Sequence, residues 1–496
     1  MERRQFFRLM AASGVGAALA SGAVLAGAAG RPGASEPAPA PTATLQAVGK
    51  RSCDVVIIGA GLAGLTAASA LVNAYVDVLV VEAQDRVGGR TLTVHRHGAF
   101  IDHGAQFISD GQDRLMALAS DLGVPLFDTW HDGLTVDWNN GTRLTYTGLF
   151  PPYWTDQDRA VATDGVQQLE QMANTLDLSA PWEATEAAQW DDRTLDDWLV
   201  ENISSDRARN FIRRGVVGVF GSGPGKLSLL AALFVINSAQ DLIRHFHPSG
   251  IDQRFVGGAQ QLSIKMAERL SERVLLGAWV SQINHGPQGV EVVAENLSVR
   301  AKRAIVTLPP TLAGRIRYVP ALPAARDHLT ESTPMGWVIK VHCVYPARFW
   351  REQNLSGAVT SDKGVVRATA DNSPPSGSPA ILVGFIEGAA ARALAPAPQA
   401  QRRAAVLADF TRYFGEQAAH PLAYYEYSWG DDPWSRGAYG GYWTEGLWTA
   451  YGPVLHAPID TLHWAGTETS PEWNGKMEGA VRSGERVAQE VLAALG

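Results

Sequence analysis

The fold is decided by the run Asp54-Val55-Val56-Ile57-Ile58-Gly59-Ala60-Gly61-Leu62-Ala63-Gly64. Its first residues are mostly apolar and β-branched, which is typical of a buried parallel strand. The glycines follow at GxGxxG spacing, and the Ala- and Leu-rich residues up to about Tyr75 predict a helix. A second apolar run, Asp77–Val81, predicts the next strand and ends in Glu82. These residues therefore predict a Rossmann-like βαβ unit and an α/β fold.

The glycines have the roles that a dinucleotide-binding loop requires. Gly59 allows the turn, Gly61 lets a pyrophosphate approach the backbone, and Gly64 lets the helix pack on the strand. Glu82 follows Gly64 at the distance expected for an acid that accepts hydrogen bonds from the adenosine ribose. The predicted cofactor loop therefore consists of Gly59, Ala60, Gly61, Leu62, Ala63, Gly64 and Glu82.

Two further segments favour FAD over a nicotinamide cofactor. The run Arg86-Val87-Gly88-Gly89-Arg90-Thr91 follows the ribose strand, and Asp102-His103-Gly104-Ala105-Gln106-Phe107 allows another tight backbone approach. A nicotinamide fold needs no such second loop, whereas FAD has a second phosphate and a ribityl chain to hold. Arg90 is a candidate partner for a phosphate or a flavin carbonyl, with a surface salt bridge as the alternative. The other candidates are Gly89, Gly104, Ala105 and Gln106.

The C-terminal segment contains a second candidate ligand loop. The run His463-Trp464-Ala465-Gly466-Thr467-Glu468-Thr469 and the residues after it predict a strand, a glycine loop and a helix whose N-terminus is rich in small residues. Free backbone N–H groups and the positive dipole end at a helix start suit an electron-rich or anionic ligand. An ordinary αβ turn is the alternative for this segment taken by itself.

Several other segments have clear secondary-structure patterns. Thr194–Val219 is periodic as in a helix, and Leu227–Ala239 is an apolar run. Later segments predict a helix, a strand meander and two strands of a second sheet. These are Gln261–Leu270, then Arg273–Leu276, Trp279–Asn284, Gly289–Ala294 and Ser298–Val306, and finally Trp337–Tyr345 and Ala380–Glu387.

With these motifs together, the chain resembles the flavin-containing amine oxidase family from about Asp54 to its C-terminus. The motifs include Arg254-Phe255-Val256-Gly257-Gly258 and Gly336-Trp337-Val338-Ile339-Lys340. The resemblance implies an FAD-binding domain interleaved with an α+β substrate-binding domain. We expect the FAD domain at about 51–130, 250–315 and 428–496, and the substrate domain at about 131–249 and 316–427.

The resemblance also implies roles for single residues. Lys340 matches the family's lysine that holds a water beneath flavin N5 and takes part in reoxidation by dioxygen; a strand lysine pointing to solvent is the alternative. Val280 is expected to present its backbone to the adenine, and Trp429 to lie near the flavin ring. The remaining members of the expected flavin cradle are Gly466, Thr467, Glu468 and Met477.

The substrate cage is where the chain departs from the family. Gly440-Gly441-Tyr442 resembles the family's Gly-Gly-Cys-Tyr element, so Tyr442 or Trp443 is expected to form one aromatic wall. No cysteine follows Cys343, which implies noncovalent FAD. Lys476 stands where monoamine oxidases usually have a tyrosine. It is either deprotonated by burial, or contacts a substrate carboxylate, or points away while Trp473 fills the gap.

The composition excludes some functions. A chain of 496 residues that is 46% hydrophobic can bury a large core. The net charge of −8 argues against nucleic acid. The two cysteines cannot form a disulfide scaffold, and the histidines have no cysteine or carboxylate companions at metal-ligand spacing. We therefore expect no metal site.

The N-terminus predicts export. Arg3-Arg4-Gln5-Phe6-Phe7-Arg8 is a twin-arginine pattern, and an Ala- and Gly-rich apolar stretch follows it. We expect a signal peptide at 1–29 that engages the twin-arginine export machinery, and a disordered Pro/Ala/Thr-rich linker at 30–50. This pathway carries folded cargo, which suits a protein that takes up FAD during folding. The mature protein would be periplasmic or secreted, or membrane-anchored if the signal is retained.

The sequence thus predicts an FAD-dependent amine oxidase that uses O2 and releases H2O2. Its substrate would be a primary or secondary amine, which is oxidised to an imine that water then hydrolyses. Three other flavin enzymes stay open: an L-amino-acid oxidase-like enzyme, a dehydrogenase that reduces a protein or quinone, and a desaturase or isomerase of the same superfamily. A homodimer also stays open.

Overall fold

The structure is a computed structural model, and it describes residues 49–239 and 253–496. The predicted signal peptide at 1–29 and residues 30–48 of the predicted linker lie outside the described residues, as does the end of the first substrate-domain segment. Within the described residues, no helix has both the length and the apolar character needed to span a membrane.

The strands come in chain order as follows: β1 (Gly49–Ile58), β2 (Val78–Val81), β3 (Thr93–Arg96), β4 (Ala99–Asp102), β5 (Phe107–Ile108), β6 (Leu126–Asp128), β7 (Leu134–Asn139), β8 (Thr142–Tyr146), β9 (Gln253–Phe255), β10 (Val274–Leu275), β11 (Val280–Gly286), β12 (Gly289–Ala294), β13 (Leu297–Val306), β14 (Arg317–Val319), β15 (Val338–Tyr345), β16 (Leu355–Ser361), β17 (Ala368–Asp371), β18 (Ala380–Glu387), β19 (Ala423–Ser428) and β20 (Leu462–Trp464).

The α-helices are α1 (Leu62–Asn73), α2 (Asp113–Asp121), α3 (Asp156–Ala173), α4 (Ala187–Asp191), α5 (Leu195–Asn202), α6 (Asp206–Phe220), α7 (Leu229–Ala239), α8 (Gln260–Leu270), α9 (Pro310–Ala313), α10 (Ala324–Ser332), α11 (Phe349–Glu352), α12 (Gly388–Leu394), α13 (Gln399–Phe414), α14 (Leu447–Tyr451) and α15 (Met477–Leu495).

The first large sheet contains the predicted dinucleotide unit. Its order is β10-β2-β1-β13-β12-β11-β14, and β20 pairs with β13. The neighbours of β1 on both sides are parallel to it, as the glycine motif requires. The predicted meander is present as β11, β12 and β13, which pair antiparallel. The segment expected to begin it, β10, instead pairs in parallel with β2.

The first strand is longer than predicted. It begins at Gly49 rather than Asp54, because Gly49 already pairs with Leu297 at the start of β13. Gly49 and Lys50, which we expected in the disordered linker, are therefore part of the sheet. Both residues are exposed, so the hydrophobic pattern that marks the buried half of the strand does not extend to them.

The second large sheet has the order β19-β15-β18-β17-β16-β7-β8. Most of its pairs are antiparallel, while β16 and β7 run parallel. Its strands lie at 134–146, 338–387 and 423–428, and the first sheet takes 49–81, 274–319 and 462–464. The chain therefore alternates between the two sheets, which is the kind of interleaving that the sequence predicts.

The helical segment between the sheets differs from its prediction in one place. The periodic stretch Thr194–Val219 forms two helices, α5 and α6, instead of one. Thr194 caps α5 in a reciprocal capping box with Asp197, and the Ser205 side chain caps the start of α6. The second cap starts a new helix after Asn202, which the hydrophobic period by itself did not indicate.

The C-terminal helix α15 packs directly on the dinucleotide helix α1. A Cβ atom added at Gly484 would lie 2.4 Å from the Ala63 carbonyl oxygen, so the two backbones touch at this glycine. Leu65 and Ala68 of α1 share one buried core with Val487 and Val491 of α15. The last helix of the chain therefore supports the helix that carries the first ligand loop.

This contact predicts that Gly484→Ala destabilises the protein. The added methyl group would overlap backbone atoms, and we expect a loss of about 1–3 kcal/mol and a lower melting temperature of the holoenzyme. Gly218→Ala is the matched control, because a Cβ atom at this helical glycine meets nothing within 4 Å. The control should melt at or above the wild-type temperature. An unchanged melting temperature in Gly484→Ala would contradict the close packing.

Candidate active site

The two sheets and the loops between them enclose one large cavity of about 1400 Å³. The carboxyl end of β1 opens into it through the GxGxxG loop, which is where ligands bind in open α/β sheets. Most of the residues that the sequence predicted for cofactor or substrate line this cavity. They are Gly59, Gly61, Leu62, Ala63, Glu82, Gly89, Arg90, Gly104, Ala105, Gln106, Val280, Lys340, Trp429, Gly466, Thr467, Lys476 and Met477.

The dinucleotide loop has the geometry of a phosphate-binding turn. Gly59 has a φ of +109°, which only glycine adopts easily. A Cβ atom at Gly61 would meet nothing within 4 Å, so its face toward the cavity is open. A Cβ atom at Gly64 would lie 2.0 Å from the Gly59 carbonyl oxygen, so helix and strand pack at this residue. The loop therefore leaves the first turn of α1 accessible to an anion.

Glu82 is held at the end of β2 by two backbone groups. Its Oε2 accepts a hydrogen bond from the Ala60 N–H at 2.7 Å, and its Oε1 accepts one from the Gln84 N–H at 2.9 Å. Burial raises the pKa of Glu82, and these hydrogen bonds counteract part of that shift. A carboxylate has about four acceptor positions, so two remain for ribose hydroxyls. Ala60 itself is buried and serves the site through its backbone.

Arg90 and Glu468 bind each other. The guanidinium donates to the carboxylate through Nη1 at 2.6 Å and Nη2 at 3.0 Å, and Nη1 also donates to the Tyr439 carbonyl oxygen at 2.8 Å. The Gly441 N–H donates to the same carboxylate at 3.2 Å. The surface salt bridge that we considered for Arg90 is therefore an internal one, since the Glu468 side chain is only 2% exposed. Arg90 still lines the cavity.

Lys340 lies at the cavity wall, near the start of β15. Its ammonium donates to the Gly104 carbonyl oxygen at 2.8 Å and to Gln106 Oε1 at 2.5 Å. Phe107 and Phe385 flank it, with ring centroids 5.7 and 5.6 Å from Nζ. Burial lowers the pKa of Lys340 to about 7, with Asp102 raising and Arg254 lowering it. The side chain does not point to solvent, so the alternative of an exposed strand lysine is wrong.

Behind Lys340 lies a histidine pair that the sequence analysis did not single out. His103 and His342 have ring centroids 5.6 Å apart, and His342 is fully buried two residues after Lys340. Burial lowers the pKa of His103 to about 4 and holds the pKa of His342 well below its usual value, and the Lys340 charge acts in the same direction. Both rings are therefore neutral near pH 7. His103 itself lines the cavity, and its carbonyl oxygen accepts a hydrogen bond from Trp429 Nε1 at 2.9 Å.

The predicted aromatic cage is not formed by the residues we expected. Tyr442 and Trp443 belong to the helical core, where Trp443 stacks on Trp448 at 4.3 Å. They line a separate cavity of only about 30 Å³, which Lys476 also touches. Trp473 is buried, and its ring lies next to Gly111. These three residues are thus outside the lining of the large cavity, and Trp473 does not fill the place of a cage residue.

The segment that reaches the large cavity lies three residues earlier. Ala438 and Tyr439 line it, whereas Gly441 and Tyr442 do not. The element that resembles Gly-Gly-Cys-Tyr is therefore Arg436-Gly437-Ala438-Tyr439, with alanine in place of the cysteine. The sequence also did not indicate Glu387. This residue ends β18, lines the cavity and accepts a hydrogen bond from the Tyr439 hydroxyl at 2.7 Å.

These features fit a flavin dinucleotide. The open face at Gly61 suits the phosphates, and the free acceptor positions of Glu82 suit the ribose. The cavity is large enough for an extended ligand. The cavity continues to Lys340 and Trp429, where an isoalloxazine ring would lie among a cation and an aromatic side chain. The fold and the site together define a flavin-dependent oxidoreductase.

Comparison with known proteins identifies the family. The family described as flavin containing amine oxidoreductase matches residues 62–492. An L-amino acid dehydrogenase from Synechocystis is 33% identical, over 90% of this chain and 96% of the relative. The flavin-containing amine oxidase A of the dog is 34% identical, over 89% of this chain and 85% of the relative.

Solved structures agree with these relatives. Putrescine oxidase with bound putrescine has a TM-score of 0.87 and 33% identity, over 90% of this chain and all of the other. Cyclohexylamine oxidase from Brevibacterium oxydans has a TM-score of 0.85 and 32% identity, over 89% and 99%. The chain belongs to the flavin-containing amine oxidoreductase family, and it is an enzyme that oxidises amines with a flavin cofactor. The predicted family, fold class and enzyme class are confirmed.

The position of Lys340 predicts the effect of its removal. Lys340→Met should leave the flavin bound, because Lys340 contacts Gly104 and Gln106 and not the Gly59–Gly64 loop. The variant should slow aerobic reoxidation of the flavin by roughly 100-fold, because a cation at the cavity wall is lost. The measurement is stopped-flow absorbance of the two half-reactions. Lys363→Met, which changes an exposed lysine of the same domain, is the control. Normal reoxidation in Lys340→Met would exclude the lysine from this step.

Proposed function

We propose that this protein is an oxidase that binds FAD noncovalently, converts a primary or secondary amine to an imine and passes the electrons to O2, which leaves as H2O2. Water then hydrolyses the imine to an aldehyde or keto product and ammonia or an amine. The observation that carries the proposal is Lys340, buried at the wall of the cofactor cavity and held by Gly104 and Gln106.

FAD, when bound, supplies the acceptor for the hydride equivalent that leaves the carbon next to nitrogen. The residues of the chain hold and orient the reacting groups. The Gly59–Gly64 loop and Glu82 would hold the adenosine and the phosphates. Gly466, Thr467 and Met477 would hold the flavin end, since all three line the same cavity. The rings of Phe107 and Phe385 flank the Lys340 ammonium and help to position it at the cavity wall.

Noncovalent binding is supported by the residue at the linkage position. Ala438 occupies the place that the cysteine has in the family's Gly-Gly-Cys-Tyr element, and an alanine has no atom that can bond to the flavin. The two cysteines of the chain are Cys53 and Cys343, in β1 and β15. Burial raises the pKa of both thiols to about 12, which keeps them protonated and unreactive.

The linkage has a direct test. Acid precipitation of the purified holoenzyme should release all of the flavin into the supernatant, where its absorbance identifies FAD. Flavin that stays with the precipitated protein would contradict noncovalent binding. Treatment of the same sample with phosphodiesterase should raise the flavin fluorescence, since FAD but not FMN responds in this way.

The activity is tested by a panel of amines and amino acids with detection of H2O2. Benzylamine, 2-phenylethylamine, putrescine and cyclohexylamine should include at least one substrate, with peroxide formed in a 1:1 ratio to amine consumed. A second function is favoured by a specific pair of observations: Lys476 lines the cavity, and one relative is an L-amino acid dehydrogenase. Flavin reduction by L-amino acids, with slow aerobic reoxidation that a quinone accelerates, would establish that function instead.

We also propose that the mature protein works in the periplasm or outside the cell, or at the membrane if its signal is retained. The support is the Arg3-Arg4 pattern and the apolar stretch after it, which lie outside the described residues. We keep the division into a flavin domain and a substrate domain as part of this proposal. The flavin domain contains the first sheet, and the substrate domain contains the second.

A further inference from the structure

A carboxylate and an amine face the substrate end of the cavity. Glu387 ends β18, and Lys476 immediately precedes α15; both line the cavity, where their partly exposed side chains meet its interior. Phe385, which points the same way as Glu387 in the strand, contacts Lys340. Glu387 is therefore about 7 Å further along the strand than the residue that touches Lys340.

Tyr439 holds the carboxylate in place. Its hydroxyl donates to Glu387 Oε1 at 2.7 Å, and its backbone carbonyl accepts from Arg90 at 2.8 Å. Burial keeps the pKa of Tyr439 well above its usual value, so the hydroxyl remains a donor. Oε1 of Glu387 thus accepts one hydrogen bond, and Oε2 has no hydrogen-bond partner within the described part of the chain, so it is the oxygen best placed for a ligand.

Lys476 and Glu387 influence each other through space. The Lys476 charge lowers the pKa of Glu387, and the Glu387 charge raises the pKa of Lys476. Among the described residues the two side chains nevertheless form no direct ion pair. This arrangement argues against one of the three alternatives for Lys476, in which the side chain points away from the site. The lysine neither points away from the site nor stands alone, because a carboxylate in the same cavity balances its charge.

An amine in water carries a proton that must leave before oxidation. The C=N bond forms with the lone pair of nitrogen, and an ammonium has no lone pair. A cationic lysine in a cavity of low polarity repels an ammonium and favours the neutral amine. A nearby carboxylate is the acceptor that such a proton needs.

We propose, on the basis of the function above, that Glu387 takes the proton from the substrate ammonium and that Lys476 drives this transfer. One N–H bond of the ammonium breaks, its electron pair stays on nitrogen, and an O–H bond forms at Glu387 Oε2. An ammonium and a carboxylate thereby become a neutral amine and a neutral acid. The proton later leaves with the ammonia or amine product or through water in the cavity.

The titration of the two groups agrees with this role. Burial raises the pKa of Glu387 to about 7, while the Tyr439 hydrogen bond and the Lys476 charge lower it. Burial lowers the pKa of Lys476 to about 8, and Glu387 raises it. The strand residue that pairs with Glu387 on β15 is the apolar Val338. At pH 7 to 8 Glu387 is therefore largely able to accept a proton while much of Lys476 is charged.

The experiment measures anaerobic flavin reduction against pH, with saturating benzylamine or 2-phenylethylamine. The wild-type rate should fall below about pH 7, because solvent then protonates Glu387. Glu387→Gln should reduce flavin about 100-fold more slowly at pH 8 and lose this acid limb. Glu387→Asp should keep the limb. A limb that persists at the same pH in Glu387→Gln would overturn the proposal.

Lys476→Met provides an independent test with a fixed sign. The lysine charge holds the pKa of Glu387 down, so its removal should move the acid limb to higher pH, whereas Lys476→Arg should leave it in place. Lys226→Met, which removes an exposed cation, is the control. No shift in Lys476→Met, or a shift to lower pH, would refute the role of the lysine.

The two proposals fail in different ways. If no amine reduces the wild-type flavin, the proposed function fails. If amines reduce it but the substitutions at Glu387 and Lys476 do not change the acid limb, only this inference fails.

Discussion

The ion pair between Arg90 and Glu468 connects the parts of the chain on which the site depends. The two residues are 378 positions apart, and their fork-to-fork contact fixes the glycine turn after β2 against the C-terminal loop. Burial would raise the pKa of Glu468, but the Arg90 charge lowers it, so the carboxylate stays ionised. Loss of Arg90 would leave the Glu468 carboxylate buried without its cation, at a cost of about 3–5 kcal/mol. The same guanidinium holds the Tyr439 backbone, and Tyr439 holds Glu387.

The second sheet forms the floor of the substrate region. One row of paired residues crosses it, from Lys340 through Phe385 and Ala368 to Thr360. Each step between strands is about 4.8 Å, so the row extends about 14 Å away from the lysine. All four residues line the cavity. The sheet therefore extends under the cavity from Lys340 to Thr360. The strand on which a residue of this row lies sets its distance from Lys340.

The cofactor half of the site could be predicted from the sequence, and the substrate half only in part. The GxGxxG loop, Glu82 and the Gly466 turn are local motifs whose spacing carries their geometry, and the structure brings them to one cavity. The aromatic segment from Trp429 to Trp443 contains several glycine–aromatic pairs, so spacing did not distinguish Tyr439 from Tyr442. Glu387 looked like the end of an apolar strand, because its partners Tyr439 and Lys476 are 52 and 89 residues away.

The packing of α15 on α1 has a consequence for how the protein is made. Gly484 and Ala63 touch through their backbones, although Gly484 lies in α15 and is synthesised long after Ala63 in α1. The cradle that includes Gly466 and Met477 therefore cannot form before α15 has been synthesised, and a chain that lacks α15 has no complete site for the cofactor. Uptake of FAD then distinguishes a complete molecule from a fragment. If the protein is exported folded, as proposed above, flavin absorbance would identify the molecules that have completed this contact.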